Sequence, residues 1–99
     1  MNDIQSRLLN VLSEAARKYG SYHFVHESAF DGQTISFNGQ WIHMDFDIYF
    51  GFGETDFDQL VSEGYLEYIS HEGDQFQTNT HYLLIANNSR VIPNEGSGG

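Results

Sequence analysis

The sequence predicts an α+β domain in which an N-terminal helix packs on an antiparallel sheet, in the element order α-β-β-β-α-β-β. Three observations predict it. Apolar residues near the start recur at helical spacing, the period changes toward two after Gly20, and turn pairs such as Asp31-Gly32 and Asn38-Gly39 cut the remaining chain into short strands.

Asp3 is the expected cap of the helix, because Ile4, Leu8, Leu9, Val11, Leu12, Ala15, Ala16 and Tyr19 form one stripe and Gly20 supplies a stop. The helix should run from Ile4 to Tyr19 and meet the sheet through Leu8, Leu12 and Ala16. Ser21 to Glu27 reads as a strand, and Gln33 to Phe37 as its partner across Asp31-Gly32. Asn38-Gly39 then marks a type I′ hairpin, since both positions tolerate positive φ. The next strand is expected over 41–50. Ile42, Met44, Phe46, Ile48 and Phe50 would face the core, while Trp41, His43, Asp45, Asp47 and Tyr49 would face outward. Gly51 and Gly53 end it, and Thr55 or Asp56 can cap a short helix from Phe57 to about Glu63. After Gly64, Tyr65 to Ser70 and Gln75 to Ala86 form a second hairpin across 71–74, and Pro93 closes the domain. One domain over 1–93 is expected, with 94–99 as a flexible tail.

A chain of 99 residues can bury one sizeable core, covering roughly 60–70% of its unfolded surface. The aromatic content of 15% favours a packed core over disorder. Without cysteine there is no disulfide, thiolate metal site or thiol nucleophile, which fits the cytoplasm. No apolar run approaches the roughly 18 residues of a membrane span, and the N-terminal segment lacks the basic start of an export signal, so neither membrane nor secretion is expected.

Charge narrows the function further. The net value is −10, and Tyr19 through Ser89 contain no Lys or Arg. That stretch carries Glu27, Asp31, Asp45, Asp47, Glu54, Asp56, Asp58, Glu63, Glu67, Glu72 and Asp74. A field of one sign attracts basic surfaces and repels phosphate, so direct binding of nucleic acid or anionic membrane is not expected.

The segment Phe57-Asp58-Gln59-Leu60-Val61-Ser62-Glu63-Gly64-Tyr65-Leu66-Glu67, followed by Tyr82-Leu83-Leu84-Ile85, resembles the last third of winged-helix domains. In that family a helix ends at Gly, a strand follows, and a Tyr-x-Leu strand returns from the wing. Strand signals stand here where the family has its second helix, and the would-be recognition helix and wing hold no Lys or Arg. The DNA binding that the resemblance would bring is therefore not expected.

His43, Asp45 and Asp47 are metal-competent, but one strand cannot close a site. A further ligand would have to come from His23, His26, His71 or His81, and no EF-hand, G-x-S-x-G, S-x-x-K or phosphate-loop pattern is present. No cofactor is expected and a catalytic role is not. A metal-dependent enzyme would need one of those histidines within ligand distance of Asp45 or Asp47.

The expectation is instead a small binding protein that occupies the basic groove of a nucleic-acid-binding protein. Carboxylates would replace phosphates, and aromatic side chains would act as anchors. The residues assigned to that surface are Trp41, His43, Asp45, Asp47, Tyr49, Glu54, Asp56, Asp58, Glu63 and Tyr65. In composition and size the chain resembles phage-encoded inhibitors of CRISPR effectors, restriction enzymes or glycosylases, and immunity proteins of nuclease toxins. The alternative is a winged-helix-like interaction module that forms a homodimer through its first helix.

Overall fold

The computed structural model describes residues 1–85; the expected strand end at Ala86, the close at Pro93 and the tail 94–99 lie outside the described residues. The first helix, α1 (Asp3–Tyr19), is capped one residue earlier than expected. Asn2 Oδ1 accepts the Gln5 N–H at 2.8 Å, and Gln5 Oε1 accepts the Asn2 N–H at 3.0 Å. This reciprocal box satisfies two donors that a helix start leaves open. Gly20, at φ 67°, stops the helix in the left-handed region.

Five strands follow the expected order: β1 (His23–Ala29), β2 (Gly32–Phe37), β3 (Gln40–Trp41), then β4 (Leu66–Gly73) and β5 (Gln77–Leu84) after the helices α2 (Phe46–Tyr49) and α3 (Glu54–Ser62). They form one antiparallel sheet in the order β3-β2-β1-β5-β4. Asn38 at φ 52° and Gly39 at φ 76° make the predicted positive-φ turn.

The core lies on one sheet face. Phe24, Ile35, Phe37, Tyr82, Leu84 and Leu66 project from the strands onto Leu8, Leu12 and Ala16 of α1 and Phe57 and Leu60 of α3. Phe57 sits at its centre, with ring centroids 5.0 Å from Tyr82, 4.6 Å from His26 and 5.6 Å from Phe52. The opposite face carries His23, Val25, Glu27, Ser36, His81 and Leu83, placed there by strand alternation.

One element departs from expectation. The strand over 41–50 ends at Trp41, and Phe46–Tyr49 forms a single helical turn instead. Tyr49 N–H donates to the Asp45 carbonyl and Phe50 N–H to the Phe46 carbonyl, both at 2.9 Å. Partner length explains the change. Ser36 faces Trp41, so continuing that register would set Asp45 against Gly32, the first residue of β2, and would leave Phe46 to Phe50 with nothing to pair. Helical spacing then decides burial. Met44, Ile48 and Phe52 turn inward, whereas Phe46 is 79% exposed and Phe50 76%. The expected inward face of Phe46 and Phe50 is corrected to an outward one. The short helix α3 also starts earlier, with Gly53 rather than Thr55 or Asp56 in the cap position.

Candidate protein interface

The predicted surface residues do not share a face, because the strand that was to align them is broken. Asp45 precedes α2, with a side chain that accepts no cap hydrogen bond. Asp47 turns back to α1, where Arg7 Nη2 donates to its Oδ2 at 2.6 Å and the Ile48 N–H donates to its Oδ1 at 3.0 Å. The Arg7 guanidinium holds the Asp47 carboxyl below the usual carboxylate range. His43 goes elsewhere, lining a groove with Glu14, Lys18 and Ile42 beside α1.

Two further acids serve the fold. Asp56 Oδ2 accepts the Gly53 N–H at 2.8 Å and its Oδ1 accepts Gln5 Nε2 at 3.0 Å, so one carboxylate joins the N-termini of α3 and α1. Glu63 accepts Gln59 Nε2 at 2.6 Å and lies 3.3 Å from the amino group of Met1; these partners, Gln59 first, lower its pKa. Tyr65 is half-buried against the core, its N–H bonded to the Leu60 carbonyl, and is no free anchor. Tyr49 is half-buried too, and its hydroxyl accepts the Gln33 N–H at 3.4 Å.

The surface that stays open comprises Asp45, Glu54 and Asp58, all exposed, and Trp41, which is 66% exposed. Burial first, and then Asp58 and Glu54, push the Tyr82 phenol beneath α3 up to about 12. Sequence reasoning missed four aromatic side chains. Phe30 is 92% and Phe76 64% exposed, at the β1–β2 and β4–β5 turns, and Phe46 and Phe50 stand on α2 with centroids 6.0 Å apart. Ala29 pairs with Gln77, so Phe30 and Phe76 leave adjacent strands at the same end of the sheet. Their positions beside Asp31-Gly32 and Asp74 were the available signal, because an aromatic at a turn has no sheet face to enter.

The histidines bond to other partners. His23 Nε2 and His81 Nδ1 are 3.0 Å apart, His26 Nε2 meets Gln33 Oε1 at 2.8 Å, and His71 Nδ1 meets Thr80 Oγ1 at 2.7 Å. The His23 and His81 ring planes differ by 7° at a centroid separation of 5.2 Å. That separation is close to the short N···N distance plus one ring radius at each end. The rings therefore meet nearly edge to edge around a single N–H···N bond. Among the described residues no group of three or more His, Asp or Glu is arranged to hold a metal ion. The melting temperature is expected to stay within about a degree on addition of EDTA or stoichiometric Zn²⁺; calorimetric scans showing a rise of several degrees with Zn²⁺ would contradict this.

Comparison with known protein families, curated proteins and solved structures finds no match. No match bears on the winged-helix resemblance of residues 57–67 and 82–85. Its helix-hairpin order is present as α3-β4-β5 with β5 paired to β1, while strands β2 and β3 occupy the place of the family's second helix. No described helix is long and apolar enough to cross a membrane.

Proposed function

We propose that this chain is a small acidic inhibitor or binding protein that occupies the basic, nucleic-acid-binding groove of a partner in the cytoplasm, such as a nuclease or a CRISPR or restriction effector. The observation that supports the reading is the separation of charge. Every Lys and Arg among the described residues lies on α1, while Asp31, Asp45, Glu54, Asp58, Glu67 and Glu72 are exposed on the sheet, its turns and the other helices. Exposed carboxylates of one sign present acceptors to Arg and Lys in the way a phosphate backbone does. The exposed rings of Phe30, Trp41, Phe46, Phe50 and Phe76 add anchors, which nucleic acid would provide through its bases. Self-association through α1 has less to rest on, because Leu8, Leu12 and Ala16 are buried in the domain's own core.

The test reverses charges that do not hold the fold together, combining Asp45→Lys, Glu54→Lys and Asp58→Lys and leaving Asp47 and Asp56 in place. Binding to a panel of purified nucleases and CRISPR or restriction effectors would be measured with and without their nucleic acid. For a true partner, wild-type binding should compete with nucleic acid and fall steeply with salt, and the triple variant should bind about a hundredfold more weakly at low salt. Equal affinity of variant and wild type, with unchanged circular dichroism, would reject the reading.

A further inference from the structure

Strand β3 ends at Trp41, so β2 from Gly32 to Thr34 has no strand on its outer side. Tyr49 takes part of that place. Its hydroxyl meets the Gln33 N–H at 3.4 Å and lies 3.1 Å from where a Cβ on Gly32 would stand. Between Trp41 and Tyr49 an open groove of about 290 Å³ remains, and Glu27 and Asp31 contribute to its lining. Asp31 accepts no hydrogen bond from a described side chain, and Glu27 takes one long bond, from Thr34 Oγ1 at 3.4 Å. No Lys or Arg between Tyr19 and Ser89 competes for either carboxylate.

Two aromatic side chains and two weakly engaged carboxylates lining one groove match one kind of cation better than others. A guanidinium is planar, so it stacks on a ring through its face while its edge donates a fork of N–H groups to carboxylates. An ammonium is compact and strongly hydrated, and it offers neither a flat face to a ring nor a fixed fork of donors to a pair of carboxylates. A phosphate would be repelled. We infer that this groove binds the guanidinium of an arginine side chain presented by the partner protein, an inference that rests on the reading of the chain as a binder of basic grooves. Arginine is the residue that basic grooves use to hold phosphates bidentately, so the same side chain that grips nucleic acid would enter between Trp41 and Tyr49.

Trp41 is the sole tryptophan, so intrinsic fluorescence reads the groove directly. Titration with N-acetyl-arginine amide should give a saturable change. N-acetyl-citrulline amide, nearly the same shape without the charge, should give none, and N-acetyl-lysine amide should bind about threefold more weakly or worse. The double variant Glu27→Gln, Asp31→Asn keeps the reporter and should bind the arginine compound about tenfold more weakly, with circular dichroism unchanged. No saturable response to arginine, equal responses to citrulline or lysine, or undiminished binding by the double variant would overturn the assignment. The two readings fail separately. Loss of arginine binding with competition against nucleic acid intact removes the groove alone. Arginine binding without any competition on the effector panel removes the proposed function and leaves a general arginine site.

Discussion

Phe57→Ala is expected to destabilise the domain by about 3–5 kcal/mol, a large share of the roughly 5–15 kcal/mol that holds a domain folded. Phe57 is fully buried, and its ring meets Phe24, His26, Phe52 and Tyr82. Truncation therefore removes apolar burial and opens a cavity whose walls come from β1, β5 and the segment before α3, and these cannot all move inward together. Phe46→Ala, by contrast, should change stability by less than about 0.5 kcal/mol, because that ring is 79% exposed. Urea unfolding of the two variants checks both statements. A loss of several kcal/mol for Phe46 would restore the strand over 41–50, and a loss below about 1 kcal/mol for Phe57 would contradict a core centred on its ring.

This pair also shows where the sequence was legible. Leu8, Leu12 and Ala16 enter the core as their spacing predicts, and the positive-φ turn at Asn38-Gly39 is in place, because both rest on local rules that tertiary packing had no reason to override. Residues 42–50 obey two rules at once. Alternation makes Phe46 and Phe50 look inward, yet Met44, Ile48 and Phe52 are also spaced by four. The choice depends on how far β2 extends, which is a long-range fact, although the turn pairs at Asp31-Gly32 and Asn38-Gly39 already bounded β2 to six residues. The candidate site was less legible for the same reason. Whether a carboxylate is free depends on partners distant in sequence, as with Arg7 for Asp47 and Gln5 for Asp56.

The second large effect is expected at Gln33, a position to which the sequence alone assigns no role beyond opening a strand. Its Nε2 donates to the Tyr49 carbonyl at 3.1 Å and the Phe52 carbonyl at 2.9 Å, so both amide hydrogens are engaged. Its Oε1 must then be the acceptor toward His26, which places the ring proton on His26 Nε2. One amide thus ties β1, β2 and the α2–α3 connection together. Gln33→Met keeps the length and removes all three bonds, stranding two carbonyls and an imidazole N–H, and should cost about 2–4 kcal/mol. A loss under about 0.5 kcal/mol would mean that water replaces the amide at no cost.

The same ring sets a pH dependence. Burial, opposed by the Gln33 bond and by Glu54, lowers the His26 pKa from 6.5. The folded protein therefore keeps this histidine neutral over a range in which the unfolded chain takes up a proton. Stability is complete above pH 6.5, declines as pH falls from there through the folded value, and levels off for this group below it. His26→Gln retains a donor for Gln33 Oε1 but cannot titrate, so its unfolding free energy should fall less between pH 7.5 and pH 5.5 than that of the wild type, whatever its absolute stability. Urea unfolding at both pH values gives the two slopes. Identical slopes would show that His26 is protonated as readily in the fold as in the unfolded chain, and that the buried ring is not what makes this domain acid-sensitive.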